Sequence, residues 1–381
     1  MKILYDYQAF YMQRFGGISN AFISLMKNLP EDASFELGIK DSENVHLMES
    51  DLVPLRPLAD FDNFLGKGYF WGKGHMYKYL RNLCPSIDSG LYNKKYSIEL
   101  LEKGNYDVFH PTFFDDYFLP HLHGKPYVLT IYDMITEKFL PENNMQTINK
   151  RELVKSASHI MAISDKTKED IIEILHVPEH KITTIYLAAP DVLLTLDSRP
   201  MVSGDYILFV GNRERYKNFI PMLKALIPVL NRHKRLKLVC TGSSFSPFER
   251  HLIDENKLSD KVIQLSPSDQ ELRTLYSNAT CFIYPSLYEG FGIPILEAWS
   301  CQCPVLLNNK SCFPEIARDA AIYFDLDNDH SDLADVMESF LSMSDLDRNK
   351  LLDRQKARLS YFSWKKSAME LYDVYRLVTQ E

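Results

Sequence analysis

The sequence has no hydrophobic run long enough to cross a bilayer, since nowhere do about 18 apolar residues follow one another. Its start, MKILYDYQAF, lacks the charged segment followed by an apolar run that marks a secretory leader. We therefore expect a cytoplasmic protein. Positive charge is also scarce: the 43 Lys and Arg residues are outnumbered by 51 Asp and Glu, for a net charge of -8. We predict no nucleic acid partner, and an anionic ligand would need a local cluster of cations.

Six cysteines occur, but none shows the C-x-x-C spacing typical of metal or redox sites. Cys240 and Cys281 lie in apolar, strand-like runs, and we expect reduced, buried thiols. Cys301 and Cys303 are spaced C-x-C, yet no His or Cys pair lies close to them in sequence, so we predict no metal site. With 45% hydrophobic and 25% charged residues, the composition is that of a folded, enzyme-like chain.

The second half of the chain alternates short β-rich runs with amphipathic stretches. Runs typical of strands are YILFVG (206–211), LKLVCTG (236–242), KVIQL (261–265), CFIYPS (281–286) and PVLLN (304–308). We predict helices near 218–231, near 247–257 and from Pro294, the first with an apolar stripe at helical spacing. Ser268 and Glu271 have the spacing of a capping box at the start of another helix. This βαβ alternation predicts a parallel sheet.

The first half repeats the alternation less regularly. Its predicted strands are KILYDY, FELGI, YDVFHP, YVLTIYD, HIMAIS and ITTIYL, whereas residues 42 to about 100 look irregular. A polar, proline-bearing stretch at 190–204 is the natural hinge. We therefore predict two α/β domains of parallel sheets, residues 1–190 and 200–361, facing each other across a cleft. In such sheets ligands bind beyond the carboxyl ends of the strands.

A cationic loop follows the first strand of the second half. In FVGNRERYKNF (209–219) the strand ends at Gly211, and Arg213, Arg215 and Lys217 precede a helix that begins near Asn218. We expect the three cations to converge on the helix N-terminus, whose partial positive charge and free N–H groups suit a phosphate. A solvated basic turn is the alternative for this stretch taken alone.

Two carboxylates flank a glycine-rich turn in PSLYEGFGIPILEA (285–298). Gly290 and Gly292 allow close approach of a ligand, Pro294 suits the first turn of a helix, and we expect Glu297 in that first turn. Glu297 could simply complement the helix dipole. Carboxylates that face an anionic ligand, however, make sense as acceptors of hydroxyl hydrogen bonds. A sugar nucleotide meets both needs, with Glu289 towards the sugar and Glu297 towards the ribose.

The spacing of Glu289 and Glu297 in PSLYEGFGIPILEAWSCQCPVL resembles the signature of retaining glycosyltransferase family 4, glycosyl transferases group 1. The likeness extends to RFGGIS (14–19), HIMAISDKTKEDI, FVGNRERYKN and FSWKKSAMELYDVY (362–375). It implies the GT-B fold, with two Rossmann-like domains and a C-terminal helix that returns to the N-terminal domain. Residues 362–381 would then join domain 1–190, which binds the acceptor, while 200–361 bind the donor.

The resemblance also implies roles for single residues. Lys217 and Arg213 would bind the donor diphosphate, Glu297 the ribose and Glu289 the sugar. The remaining donor-binding positions would be Gly16 and Gly17 over the phosphates, Gly211, Gly242 and Leu265 near the base, and Gly290, Phe291, Gly292 and Ile293 around the turn. The donor would be UDP- or GDP-linked.

This chain departs from the family pattern at several positions. An arginine commonly follows the loop glycine directly, but here that place is taken by Asn212 and the arginine is Arg213. Relatives commonly have a histidine after the strand VLTIYD, where this chain has Tyr132. Either Tyr132 supplies the polar contact, or His110 takes part of the role, or His110 is a core histidine. Gln302 replaces a usual glycine, for which we expect only a packing effect.

The resemblance implies a transfer in which the leaving phosphate accepts the proton of the acceptor hydroxyl on the same face, so that the anomeric configuration is retained. Arg and Lys would take the place of Mg²⁺, and neither metal nor cofactor is expected. DLD at 325–327 resembles a metal-binding D-x-D, but we interpret it as a turn. A 2-epimerase of the same fold and a non-catalytic nucleotide-binding partner are the alternative functions.

Residues 66–81, GKGYFWGKGHMYKYLR, interleave aromatic and basic side chains. This pattern suits the surface of an anionic membrane, and it equally suits a partly buried loop on the acceptor side. In the first case the acceptor is expected to be lipid-linked. The expected acceptor is in either case a glycan or a lipid-linked oligosaccharide, in the synthesis of a bacterial surface polysaccharide.

Overall fold

A computed structural model describes residues 1–55, 59–189, 200–213, 215–327 and 330–380. The chain divides into two compact units. Unit 1 comprises Met1–Ile163, Thr167–Tyr186 and Trp364–Glu381, and unit 2 comprises Ser164–Lys166 and Leu187–Ser363. Most of the predicted hinge, residues 190–199, lies outside the described part of the chain. No helix in the described residues is long and apolar enough to cross a membrane.

Unit 1 contains parallel strands that form two three-stranded sheets, ordered β2-β1-β3 and β4-β5-β6. The strands are β1 (Lys2–Tyr5), β2 (Ser34–Leu37), β3 (Val108–His110), β4 (Val128–Ile131), β5 (His159–Ala162) and β6 (Ile182–Thr184). An isolated parallel bridge between Phe109 and Tyr127 connects the ends of β3 and β4. All pairings within these sheets are parallel, as the strand and helix alternation predicts.

In the described residues, the helices of unit 1 include three in the region that we predicted to be irregular. They are α1 (Gln8–Met12), α2 (Gly17–Lys27), α3 (Val45–Met48), α4 (Lys73–Leu83), α5 (Ser89–Lys103), α6 (Ile135–Phe139), α7 (Met145–Ser156) and α8 (Asp165–Leu175). The prediction for 42–100 was wrong because α5 buries Ser89, Asn93 and Ser97 beside Leu100 and Leu101. A helix whose buried face is largely polar shows little apolar periodicity in its sequence.

Unit 2 contains one six-stranded parallel sheet, with the strand order β9-β8-β7-β10-β11-β12. Its strands are β7 (Tyr206–Phe209), β8 (Lys237–Thr241), β9 (Val262–Leu265), β10 (Cys281–Tyr284), β11 (Val305–Asn308) and β12 (Ile322–Phe324). The predicted apolar stripe of the following helix, from Phe219 to Leu230, is buried against this sheet. This order is that of a dinucleotide-binding α/β sheet, in which the chain runs outwards from the centre in both directions.

The helices that follow these strands, and the C-terminal helix, are α9 (Phe219–Arg232), α10 (Pro247–Glu255), α11 (Asp269–Asn278), α12 (Ile293–Ser300), α13 (Phe313–Ala317), α14 (Leu333–Leu341), α15 (Asp345–Leu359) and α16 (Trp364–Gln380). Ser268 and Glu271 form the predicted capping box, and Ser246 and Glu249 form a second one. α16 packs in unit 1, against α2, β3 and β5. The last helix therefore returns to the N-terminal part of the chain, as the family resemblance implied.

Gln302 affects the backbone conformation, whereas we expected an effect on packing. It directly follows the C-cap of α12 with a left-handed φ of 55° and an exposed side chain. A residue with Cβ is strained in this conformation, which glycine adopts freely. Leu326, the middle residue of the D-x-D at 325–327, forms an antiparallel bridge with Ser331, and Oδ2 of Asp327 lies 3.7 Å from Nζ of Lys310.

Candidate functional site

The candidate site lies at the centre of the unit 2 sheet, where the order of the strands reverses. From β7 the chain continues to β8 and β9 on one side, whereas from β10 it continues to β11 and β12 on the other. Loops after these two neighbouring strands therefore diverge and leave a crevice at the carboxyl edge, the place where such sheets bind ligands. Lys217 lies in the loop after β7, and Glu289 in the loop after β10.

Lys217 and Glu289 meet across this crevice. The ammonium Nζ of Lys217 donates to Oε1 of Glu289 at 2.7 Å, and both side chains are largely buried. The amide of Leu287 also donates to the carbonyl of Tyr216 at 2.8 Å, so the two loops are joined through their backbones as well. The ring of Tyr284 lies 5.5 Å from the ammonium. The structure thus brings together a cation and an acid that are 72 residues apart in sequence.

Glu289 is held in place by residues that the sequence did not point to. The hydroxyl of Tyr284 hydrogen-bonds to its carboxylate, and burial together with the Glu289 charge raises the pKa of this tyrosine well above its ordinary value. Ser311 Oγ accepts from the Glu289 amide at 3.1 Å and donates to its carbonyl at 2.9 Å. These contacts come from β10 and from the loop after β11. They fix both the backbone and the side chain of the acid.

Two glycines allow the backbone to turn at this edge. Gly292 is the N-cap of α12 with a φ of 93°, and a Cβ here would meet Ile295 at 3.0 Å. Gly242, after β8, has a φ of 98°, and a Cβ there would lie only 2.6 Å from the carbonyl oxygen of Gly211. Any side chain at position 242 would therefore push apart the ends of β7 and β8.

The other predicted donor positions lie at the same edge of the sheet. Gly211 follows β7, and its amide donates to Thr241 Oγ1 at 3.1 Å. Leu265 is the last residue of β9 and pairs with Thr241 in the register of the sheet. Gly290, Phe291 and Ile293 surround the turn into α12, and Phe291 packs its ring against Phe362.

Glu297 lies in the second turn of α12, which begins at Ile293, so the prediction that it falls in the first turn was wrong. Its side chain faces α11. Its Oε2 accepts from the hydroxyl of Tyr276 at 3.4 Å. Burial raises the pKa of the Glu297 carboxyl to about 7, and the hydrogen bond from Tyr276 partly offsets this effect. Tyr276 contacts Phe282, and Phe282 contacts Tyr284 beside Lys217. Glu297 is thus connected to the Lys217–Glu289 pair through one chain of packed aromatic rings.

Arg213 does not converge with Lys217. Its Nε donates to Glu249 Oε1 at 2.8 Å, and its other nitrogens donate to the carbonyls of Thr241, Ser243 and Ser244. The guanidinium therefore ties the loop after β8 to the start of α10. We predicted that three cations gather at the start of α9. This was wrong, because Arg215 is exposed and Lys217 pairs with Glu289. A diphosphate contact from Arg213 stays a prediction.

In unit 1, His110 has the environment of a core histidine. It ends β3, is fully buried, and has Nδ1 at 2.6 Å from the Tyr375 hydroxyl and Nε2 at 2.8 Å from Thr130 Oγ1. Burial lowers the pKa of this imidazole to about 3, so the ring is neutral at physiological pH. Tyr375 in turn contacts the hydroxyl of Tyr5 at 2.9 Å. Both ring nitrogens are thus occupied, Nδ1 by Tyr375 of α16 and Nε2 by Thr130 of β4.

Tyr132 follows β4 and is also buried, with its ring against Phe22. Among the described residues its hydroxyl has no hydrogen-bond partner. Burial raises the pKa of this tyrosine well above its ordinary value, so that the hydroxyl keeps its proton. Gly16 is the N-cap of α2 and Gly17 is its first residue.

A buried acid that the sequence did not single out lies at the end of β1. Asp6 is fully buried and accepts from the amide and hydroxyl of Thr112, from Gln8 and from the hydroxyl of Tyr117. Burial raises its pKa above the ordinary value, and these hydrogen bonds oppose the shift. Asp6 joins the carboxyl ends of β1 and β3, which are neighbours in the sheet. No local pattern could have revealed it, because Thr112 is 106 residues away.

Two family models match the chain. Glycosyltransferase Family 4 matches residues 74–189, and Glycosyl transferases group 1 matches residues 201–357. Together the two matches span well over half of the chain.

Two relatives are O-antigen chain mannosyltransferases. Mannosyltransferase B of Escherichia coli is 28% identical over 284 residues, which are 69% of this chain and 73% of that protein. RfbU of Salmonella typhimurium is 29% identical over 210 residues, which are 53% of this chain and 58% of that protein. The chain thus spans little more than half the length of the second relative.

The fold is shared with solved structures. The crystal structure of Anabaena Alr3699/HepE in complex with UDP and glucose has a TM-score of 0.71 and 15% identity, covering 98% of this chain and 99% of that one. From the two family matches and this likeness we conclude that the chain belongs to the family 4 glycosyltransferases and has the GT-B fold.

Proposed function

We propose that this glycosyltransferase moves a hexose, with retention of configuration, from a UDP- or GDP-linked donor to a glycan or lipid-linked acceptor. One observation carries the proposal: the pairing of Lys217 with Glu289 at the point where the unit 2 sheet reverses its strand order. A diphosphate sugar presents phosphate oxygens and hydroxyls side by side. A cation beside a carboxylate is the matching arrangement.

The Lys217 ammonium has donors to spare for a phosphate. An ammonium can donate three hydrogen bonds, and the described residues provide one acceptor, Glu289. The N-terminus of α9 begins two residues later and adds partial positive charge. Glu289, with its backbone fixed by Ser311, would accept from the sugar, and Glu297 from the ribose. Arg213 would act mainly by ordering the loop after β8.

The names of the relatives favour mannose and surface polysaccharide. Both relatives described above are O-antigen chain mannosyltransferases. We therefore propose a role in the synthesis of a bacterial surface polysaccharide, with a mannose donor as the first to be tested.

Catalysis would rest on positioning and on stabilising the charge of the departing diphosphate. The leaving phosphate oxygen would take the proton of the acceptor hydroxyl as the new glycosidic bond forms on the same face. We infer that Lys217 and the helix N-termini supply the positive charge that a metal ion provides in other enzymes. Tyr132 is the better candidate than His110 for a polar contact with the sugar, because a buried hydroxyl without a partner is costly.

Thermal stability with UDP and with GDP, followed by a panel of their sugars, tests the proposal. A nucleotide at 100 times its dissociation constant adds about 2.7 kcal/mol to the free energy of unfolding. Lys217→Met should lower kcat/KM by on the order of a hundredfold, by analogy with removal of one oxyanion donor. The matched control is Lys224→Met, an exposed lysine on α9.

The outcomes separate the possible functions. Release of nucleoside diphosphate that requires an acceptor supports the transferase. Donor conversion without any acceptor would point instead to an epimerase, and binding without turnover to a non-catalytic partner. Absence of binding by both nucleotides would overturn the proposed function.

A further inference from the structure

The segment Phe61–Leu83 of unit 1 exposes several large apolar side chains. Trp71 is 96% exposed, Tyr69 81%, Tyr79 69%, Leu65 66% and Leu83 63%. These side chains occupy α4 and the loop that leads into it. Single exposed apolar residues are ordinary, but five within one short segment form a patch of the kind that marks an interaction surface.

Hydrogen bonds from the side chain of Lys73 hold the loop that carries these residues in a defined conformation. Lys73 is 2% exposed, and its ammonium donates to the carbonyls of Asp62, Gly66 and Gly68 at 3.3, 2.9 and 3.2 Å. The same ammonium lies 5.1 Å from the ring of Phe61. The three backbone carbonyls thus enclose the ammonium of this buried lysine. Phe61 and Phe64 pack against Tyr77 of α4, whereas Tyr69 and Trp71 of the same loop are exposed.

The charge of this segment is opposite to that of the whole chain. Between residues 61 and 83 the sequence has Lys67, Lys73, Lys78 and Arg81 but a single acid, Asp62, although the chain as a whole carries -8. Lys67 and Lys78 are exposed among the aromatic residues. Tyrosine and tryptophan with interspersed lysine is the composition that favours the boundary between water and lipid.

The segment also contacts the start of α5. Asp88, the N-cap of α5, accepts from the hydroxyl of Tyr77 at 3.0 Å and pairs with Arg81 at 3.5 Å. Burial, together with the negative charge of nearby Asp88, raises the pKa of the Tyr11 hydroxyl in α1. The helix α1 begins directly after the loop at the end of β1. Tyr77 and Arg81 thus join α4 to the start of α5, near α1.

We propose that the segment 61–83 docks unit 1 onto the surface of an anionic lipid bilayer. The excess of positive charge favours anionic headgroups over a second copy of this chain, which would bring like charges together. The aromatic side chains would enter the headgroup region while the lysines pair with lipid phosphates. If the proposed transferase function also holds, the acceptor is lipid-linked; that extension rests on the proposed function, whereas the docking does not.

Tryptophan fluorescence of the full-length chain tests the docking directly. Of the three tryptophans, Trp299 and Trp364 are buried, and Trp71 alone is exposed. Vesicles of phosphatidylethanolamine and phosphatidylglycerol should shift the emission to the blue, and brominated lipids should quench it. Vesicles of phosphatidylcholine should have much less effect. About 0.5 M NaCl should weaken the binding, since it screens charges at a surface.

Matched variants separate the apolar and the cationic contributions. Trp71→Ala should weaken vesicle flotation on the order of tenfold, the loss expected for one large apolar side chain. Lys67→Gln and Lys78→Gln should each cost about fivefold on anionic vesicles. Phe248→Ala and Lys234→Gln, exposed residues of unit 2, should change nothing. Lys73→Met, which keeps the exposed aromatic residues but removes the ammonium that closes the loop, should bind at least as weakly as Trp71→Ala.

Equal binding to neutral and anionic vesicles, or flotation that is insensitive to both Trp71→Ala and the lysine variants, would overturn the proposal. A blue shift that depends on protein concentration without vesicles would assign the patch to a second copy of the chain instead. Vesicle binding needs no donor, so failure here is distinguishable from failure of nucleotide binding in unit 2.

Discussion

The Glu297 carboxyl binds a proton more readily in the folded protein than in the unfolded chain. Burial raises its pKa from the ordinary 4.5 to about 7, against a smaller opposing effect of the hydrogen bond from Tyr276. Asp269 raises the pKa further, while Arg273 lowers it. Near neutral pH this acid is therefore partly protonated.

Glu297→Gln should flatten the dependence of stability on pH. Between about pH 4.5 and pH 7 the folded state holds more protons at Glu297 than the unfolded state, so its effect on the free energy of unfolding falls as pH rises through this window. The total change is at most about 3 kcal/mol. Urea denaturation from pH 5 to pH 8 measures it. Glu255→Gln, an exposed acid of α10, is the control, and an unchanged slope in E297Q would contradict the assigned cause.

At the scale of the element, the strands and helices of unit 2 were predictable because local patterns specify them. The apolar stripe of α9 and the capping box of α11 lie within single helices, so each is readable from a few neighbouring residues. The polar buried face of α5 carries no such pattern, and that helix was missed.

The candidate site was predictable only in part. Glu289, Glu297 and Lys217 stand in recognisable motifs, but Tyr284 and Ser311 reach Glu289 through the fold of the sheet. The buried state of His110 likewise depends on Tyr375, which is 265 residues away. The commitment of Arg213 to Glu249 and the loop after β8 could not be read from its neighbours in sequence.

Gln302→Gly should stabilise unit 2 by about 0.5–1 kcal/mol, because it removes the strain of a left-handed residue after α12. The Gln302 side chain is exposed, so little packing is lost. Asp353→Gly, within α15, should instead destabilise by about 0.3 kcal/mol, since aspartate already has a much lower helix propensity than alanine. Thermal denaturation of the two variants measures both changes. A loss of stability in Q302G would show that the glutamine side chain contributes more than its backbone costs.

At the scale of the whole molecule, the two ends of the chain share one core. The hydroxyls of Tyr5 in β1 and Tyr375 in α16 are 2.9 Å apart, and His110 of β3 completes the group. Tyr5 and Tyr375 are 370 residues apart, so unit 1 is incomplete until the last helix has been synthesised.

Tyr375→Phe should destabilise unit 1 by about 1–3 kcal/mol, because it leaves a buried nitrogen of His110 without its partner. Hydrogen exchange should quicken in β1, β3 and β4 and stay unchanged in the strands of unit 2. Tyr372 lies in the same helix as Tyr375, and its hydroxyl donates a partly exposed hydrogen bond to Asp32. Tyr372→Phe should therefore lower the free energy of unfolding by less than about 1 kcal/mol. Equal exchange changes in both units would contradict this division.

The distribution of thiols has a practical consequence. Cys240, Cys281, Cys301, Cys303 and Cys312 are buried, and burial raises the pKa of each, whereas Cys84 at the end of α4 is exposed. A maleimide dye added to the native protein should therefore attach at one place, beside the segment 61–83. The wild-type chain offers a single-site attachment point for spectroscopic distance measurements, without any cysteine having to be engineered.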